Sequence, residues 1–171
     1  MTDLRSFVKD VPDFPEPGIL FRDITPLLAS PLAFQLAIHE MAKPFRDLHV
    51  QKVLGIEARG FMFGAALARE LSLGFVPMRK PGKLPRETVK ASYGLEYGKD
   101  SLELHKDALE PGEHVLIADD VLATGGTAEA AIRLVEQLGA RVEGLSFLIE
   151  LGALSGGGKL GDRRVHAVLL L

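Results

Sequence analysis

An apolar run with no polar break, Val115-Leu-Ile-Ala118, ends on two acids, Asp119 and Asp120. It then passes through Val-Leu-Ala-Thr-Gly-Gly-Thr into residues 128–138, whose apolar positions recur at helical spacing. A strand without alternation is buried on both faces, the habit of parallel sheets, and a parallel strand followed at once by a helix is half of a βαβ unit. This string confines the chain to an α/β fold with its ligands at the carboxyl ends of the strands. Gly125 and Gly126 let a ligand approach the main chain closely, so that successive N–H groups of residues 123–127 can face one phosphate. The orphan N–H groups of the first helical turn and the hydroxyls of Thr124 and Thr127 complete an anion site that needs no lysine. Carboxylates cannot hold a phosphate, but at a strand end Asp119 and Asp120 can accept hydrogen bonds from sugar hydroxyls or orient water around magnesium. Gly-Gly alone would be an ordinary turn; strand, paired acids, loop and helix together stand in the order that a ribose-phosphate socket requires.

The rest of the chain supplies the other parts of such a sheet. Residues 52–56 read as a strand, 61–71 as a helix and 75–78 as another strand; 141–151 and 165–170 are late strands, giving five core strands with 115–118. A helix begins at Pro31 with Ser30 as its cap, carries Phe34, Ile38 and Met41 on one face, and stops near Pro44. Residues 6–10 read as a short helix and residues 14–26, rich in proline, as a functional loop. Between 79 and 101, prolines, glycines, charges and two tyrosines replace core periodicity, which predicts a mobile hairpin or lid. Ser155 to Gly158 reads as a flexible connector. Its extension to Gly161 satisfies Gly-x-Gly-x-x-Gly, but no helix follows and no βαβ unit has room, so a dinucleotide site is rejected; an ATPase P-loop string is absent.

At 171 residues the expectation is one domain with one well-buried core. A net charge of −3 without long blocks of either sign argues against a general nucleic-acid or membrane-surface binder. No secretory pattern opens the chain and no apolar run could cross a bilayer, so the expected location is the cytosol. With no cysteine there is no disulfide, thiolate metal site or thiol nucleophile. Histidines 39, 49, 105, 114 and 166 show no ligand spacing and read as structural or surface residues. The chain has no asparagine, and its glutamines are Gln35, Gln51 and Gln137, a depletion found in proteins of hot-growing organisms and also produced by genome composition.

The string at 115–127 resembles the phosphoribosyl pyrophosphate signature of the type I phosphoribosyltransferases. Four more strings are similar to the adenine phosphoribosyltransferases within that family, and the similarity spans nearly the whole chain. They are Phe14-Pro-Glu-Pro-Gly-Ile-Leu-Phe-Arg-Asp23, Gly55-Ile-Glu-Ala-Arg-Gly-Phe61, Arg79-Lys-Pro-Gly-Lys-Leu-Pro85 and Ser92-Tyr-Gly-Leu-Glu-Tyr-Gly98. The resemblance implies a mainly parallel five-stranded sheet flanked by helices, with an N-terminal hood over about residues 1–30 and a flexible hairpin over about 79–101. It also implies magnesium-dependent transfer of phosphoribose to N9 of adenine, giving AMP and pyrophosphate in purine salvage, by a homodimer whose metal arrives with the substrate.

The resemblance assigns phosphoribose to Asp119, Asp120, Ala123, Thr124, Gly125, Gly126 and Thr127. Pyrophosphate falls to Arg59, whose planar fork suits phosphate oxygens, and to Arg79, Lys80 and Lys83; a cis peptide is implied between Glu57 and Ala58. Adenine would be read by the main chain of Leu20 and Arg22 and sandwiched between Phe21 and Leu122. Glu96, between Tyr93 and Tyr97, is the implied acid that accepts or positions the ring proton, with Arg59 as the second catalytic group. Two rivals follow. A transferase for another base would keep the phosphate sites, although the glycine-rich tail offers no late-chain group of the kind that reads guanine or xanthine. A regulator that senses phosphoribosyl pyrophosphate without catalysis would add a basic DNA-binding domain, and no helix-turn-helix pattern is present.

Overall fold

The computed structural model describes residues 3–95 and 98–171. The predicted helix at 6–10 is a 3-10 turn, Leu4–Phe7, capped by the Asp3 carboxylate, followed by strand β1 (Lys9–Pro12). β1 pairs antiparallel with β2 (Leu20–Asp23), so the predicted loop at 14–26 contains half of a two-stranded ribbon. Neither strand shows a burial period, because β1 is exposed throughout and in β2 three consecutive residues, Phe21 to Asp23, are all half-buried; the apolar alternation by which strands are read in sequence is missing.

Two helices follow, α1 (Thr25–Ala29) and α2 (Pro31–Ala42). α2 starts as the sequence predicts, with Pro31 in the first turn and the Ser30 hydroxyl accepting the Ala33 N–H at 3.3 Å. Then come β3 (Lys52–Ile56), α3 (Gly60–Leu71) and β4 (Gly74–Met78), each within a residue of expectation. Beyond them lie the hairpin β5 (Thr88–Leu95) and β6 (Gly98–His105), then β7 (His114–Leu122), α4 (Gly126–Gln137), β8 (Arg141–Glu150) and β9 (Val165–Leu170). Five strands form one sheet in the order β4-β3-β7-β8-β9, and every pair is parallel. β7 runs on to Leu122, so Asp119 and Asp120 lie inside the strand instead of after it.

Period-two alternation sends successive residues of the central strands to opposite cores. Val53, Leu116 and Ala118 pack with Met41, Phe45, Phe63 and Leu67 from the α2 and α3 side. Leu54, Val115 and Ile117 pack with Ile132, Leu134 and Val135 of α4. The hairpin shares this second core through Ala91, Tyr93, Leu102 and Leu104, all buried. Core periodicity is therefore present in part of 79–101, contrary to the sequence reading that prolines, glycines and charges replace it there. The signal was present: Val89, Ala91 and Tyr93 alternate with Lys90, Ser92 and Gly94, but Pro81 and Pro85 just before them suggest loop.

Candidate active site

The strand order itself opens a crevice. From β3 the chain crosses through α3 to β4 on one side, whereas from β7 it crosses through α4 to β8 on the other. Loops leaving the carboxyl ends of β3 and β7 diverge, and ligands of open α/β sheets bind at such a point. The first loop carries Glu57, Ala58 and Arg59, with a cis peptide between Glu57 and Ala58; the second carries residues 123–126.

Gly125 precedes α4 in the left-handed region, φ 82°, which a side chain would strain. The loop from Ala123 to Thr127 wraps a small cavity of about 60 Å³ into which the first turn of α4 opens, with Asp119 at its edge. Among the described residues no basic side chain lines it, and main-chain N–H groups and the helix start supply its positive potential. Asp119 also lines the adjoining groove of about 280 Å³, together with Asp120, Arg59, Lys80 and Tyr93. Gly60 makes this junction: a Cβ there would stand 2.6 Å from Asp119 Oδ1. Burial, and then the neighbouring Asp120 carboxylate, push the Asp119 carboxyl well above the usual range.

The basic residues differ in what they reach. Arg59 Nε lies 2.8 Å from Asp120 Oδ2, and its guanidinium carbon stands 5.2 Å from the centre of the Phe21 ring. Lys80 lines the groove, donating to Tyr93 Oη at 3.0 Å and pairing with Asp100. Arg79 and Lys83 both pair with Glu57, at 3.3 Å each, and Glu57 also accepts the Lys80 N–H at 2.9 Å. Burial alone would push the Glu57 carboxyl up; the Lys80 N–H, Arg79 and Lys83 more than reverse this and hold it low. Of the predicted cluster, Lys80 joins Arg59 at the groove, while Arg79 and Lys83 stand behind Glu57. Glu96 and Tyr97 lie outside the described residues.

A third cavity, about 170 Å³, lies between the β1–β2 ribbon and the sheet, lined by Leu20, Phe21, Arg22, Arg59, Val121 and Leu151 among others. The predicted wall residue Leu122 is not there. It is 1% exposed and belongs to the core beneath α4, because adjacent strand residues point to opposite faces and Val121 takes the outward one. If this cavity holds the base that the resemblance implies, Val121→Ala should raise KM for it about tenfold with little change in melting temperature, whereas Leu122→Ala should destabilise the fold by about 2–5 kcal/mol. Steady-state kinetics and thermal melting of the two variants separate the assignments. Leu151, missed in the sequence, reaches the pocket because its N–H donates to the Leu122 carbonyl at 2.9 Å, carrying the end of β8 alongside β7. The Arg22 guanidinium is committed to Asp10.

A wider hollow of about 430 Å³ at the hairpin root is lined by Arg86, Glu87, Lys106 and Asp107, which pair with one another, and contains none of these groups. Among the described residues no three histidines or acids are grouped to hold a metal, and no helix is long and apolar enough to cross a membrane.

The phosphoribosyl transferase domain family matches residues 23–154. The chain is 57% identical over 167 residues to an adenine phosphoribosyltransferase of Carboxydothermus hydrogenoformans, covering 98% of each protein. Among solved structures it is similar to the adenine phosphoribosyltransferase of Rhodothermus marinus, with a TM-score of 0.94 and 56% identity over 98% of this chain and 96% of that one. It is also similar to the Saccharomyces cerevisiae enzyme complexed with adenine and an imino-altritol bisphosphate, with a TM-score of 0.91 and 43% identity over 97% and 96% of the two chains.

Proposed function

The chain belongs to the adenine phosphoribosyltransferases of the type I phosphoribosyltransferase family, and from that membership we propose that it transfers the 5-phosphoribosyl group of phosphoribosyl pyrophosphate to N9 of adenine, giving AMP and pyrophosphate. The observation that carries this reading is the meeting of three cavities around β7: a phosphate loop, a groove with acids and cations, and an apolar pocket under the ribbon. Their order matches the order of phosphate, ribose and diphosphate in one substrate, with the base to the side.

In this assignment the 5-phosphate lies on residues 123–127 and the ribose hydroxyls donate to Asp119 and Asp120. The diphosphate lies toward Arg59 and Lys80, with Arg79 and Lys83 held in reserve by Glu57. Adenine slides between Phe21 and Val121. The β1–β2 ribbon has a free edge, so the main chain of Leu20 and Arg22, two residues apart and on one side, can offer an acceptor to the exocyclic amine and a donor to a ring nitrogen. Among the described residues no carboxylate or side-chain amide lines that pocket to favour guanine. Magnesium carried by the diphosphate would supply charge neutralisation to the leaving group, beside Arg59 and Lys80. The C1′ to pyrophosphate oxygen bond lengthens, positive charge grows on the ribose, and N9 attacks the opposite face while its ring proton passes to an acceptor, for which Glu96 is the assigned group. Arg59 and Lys80 stabilise the departing charge, and closure of the hairpin in this reading keeps water from the sugar cation.

The whole chain, 1–171, acts as one domain in this reading, in the cytosol and as a homodimer. Exposed Leu32 and Met62 on the neighbouring helices α2 and α3 support a partner surface, and a monomeric mass at working concentration would count against it. The activity is tested by incubating the protein with magnesium and phosphoribosyl pyrophosphate and, separately, adenine, hypoxanthine, guanine, xanthine or orotate, measuring nucleotide and pyrophosphate together. AMP from adenine alone is expected. Product from another base would discard the pocket assignment, and binding without product would make the protein a sensor.

A further inference from the structure

The glycine-rich run that fails as a dinucleotide fingerprint is packed against the phosphate loop. Gly156 is buried, and a Cβ on it would stand 2.2 Å from the Ala123 carbonyl oxygen and 2.9 Å from the Gly125 nitrogen. In the other direction a Cβ on Gly125 would stand 2.5 Å from the Gly156 carbonyl oxygen. Two backbones meet there with no side chain between them. Gly156 does not adopt a positive φ, so the bar to a side chain at that position is space and not backbone angle.

The segment is pinned on both sides. Ahead of it, Leu151 hydrogen-bonds to Leu122 and lines the base pocket, and the Gly152 N–H donates to the Leu171 carbonyl at 3.0 Å. Behind it, the 3-10 stretch Gly156–Leu160 ends on Leu160, which is 0% exposed and sits in the core shared with α4. Arg163 fastens the exit, donating to the Leu160 carbonyl at 3.1 Å and pairing with Glu136 of α4 at 2.5 Å. By contrast, a Cβ on Gly158, two residues along, would meet nothing within 4 Å.

We propose that Gly156 is a positioning residue for the transferase reaction: its bare backbone is the outer wall that holds residues 123–125 in the shape that presents their N–H groups to the 5-phosphate. An anion site made of main-chain donors has no long side chain with which to adjust, so its geometry depends on what stands behind the loop. A displacement of about 1 Å in such a site costs on the order of a hundredfold in rate. The inference rests on the phosphoribose assignment above and extends it to a segment with no predicted role.

The test is Gly156→Ala, with Gly158→Ala as a control in the same segment. Kinetics for both substrates are measured beside direct binding of ribose 5-phosphate and thermal melting. Gly156→Ala should raise KM for phosphoribosyl pyrophosphate and Kd for ribose 5-phosphate by about ten- to hundredfold, the scale of one lost charge-assisted hydrogen bond, with KM for adenine within about twofold. Gly158→Ala should leave all of these unchanged. Unchanged ribose 5-phosphate binding in Gly156→Ala overturns the proposal, as does an equal rise in both KM values with a fall in melting temperature, the mark of a general structural defect. If Gly156→Ala does not fold, Leu160→Val loosens the anchor by one methylene, and the same selective rise, about threefold, is expected; a normal KM for phosphoribosyl pyrophosphate then sinks the idea. A wild-type protein that neither binds ribose 5-phosphate nor makes AMP would instead remove the phosphoribose assignment itself.

Discussion

Arg59→Ala is expected to lower kcat/KM for phosphoribosyl pyrophosphate by about a thousandfold, the upper range for removing one preorganised group that stabilises transition-state charge. Arg59 contacts three places at once: Asp120 at the ribose end, the groove assigned to diphosphate, and the Phe21 ring over the base pocket. Its removal also strands an acid, since Asp120 is 5% exposed and its Oδ2 has no other partner. Breaking a fully buried pair costs about 3–5 kcal/mol, but the Arg59 side chain is 41% exposed and water can replace it, so about 1 kcal/mol is the expected loss. Arg59→Ala with Asp120→Asn should recover that stability without recovering activity. Arg59→Lys keeps the charge, loses the planar fork and should fall between. Melting curves and kcat/KM for the set separate the two effects, and an Arg59→Ala enzyme within tenfold of wild type would remove Arg59 from the mechanism.

Every cation of the site is already paired with a protein acid: Arg59 with Asp120, Lys80 with Asp100, Arg79 and Lys83 with Glu57. A diphosphate bound as proposed would share these cations with carboxylates. The arrangement positions long basic side chains before the substrate arrives, which lowers the rotamer entropy lost on binding at the cost of a weaker net field. Asp100 and Tyr93 face each other across the hairpin just below its tip and hold Lys80 between them. The hairpin and the groove assigned to diphosphate thus share one ammonium group.

What could be read in the sequence followed from physics that is local in the chain. Residues 115–127 were legible because a doubly buried strand, a left-handed glycine and a helix start each leave their own mark within a few residues. Ser30 and Pro31 announced α2 for the same reason. Leu122 differs from the pocket residue by a single position: in a strand buried on both faces nothing in the apolar pattern says which of two neighbours faces the cavity, and in the structure Val121 lines it while Leu122 packs beneath α4. The β1–β2 ribbon escaped because β1 is exposed throughout and β2 is half-buried without alternation, so neither carries the period of a core strand. Gly156 escaped because its meaning lies in a contact with residues about thirty positions earlier, and glycine has no side chain to record it.

Asp119→Asn should make the protein less active and more stable. In the proposed assignment the ribose hydroxyls donate to this carboxylate, and its replacement by an amide should lower kcat/KM by about a hundredfold. Stability moves the other way because burial and the Asp120 carboxylate hold the folded Asp119 pKa above its unfolded value. Below the unfolded value both states carry the proton and there is no penalty. As pH rises between the two values the unfolded chain ionises first and is favoured, so wild-type stability falls across that window and the full penalty remains above the folded value. Asparagine never titrates and can still accept the Asp120 N–H that Asp119 Oδ1 accepts at 2.9 Å. The variant should therefore melt close to wild type near pH 3.5 and increasingly above it toward neutral pH, by about 2–4 °C for each kcal/mol recovered in a chain of this length. A melting difference that stays flat with pH, or a variant less stable at pH 7, would show that Asp119 is not held protonated by its surroundings. The same linkage reaches the ligand. Sugar hydroxyls donating to the ionised carboxylate favour loss of its proton, so binding of phosphoribosyl pyrophosphate should release a proton in that window and weaken on acidification, and calorimetry in buffers of different ionisation enthalpy measures that release directly.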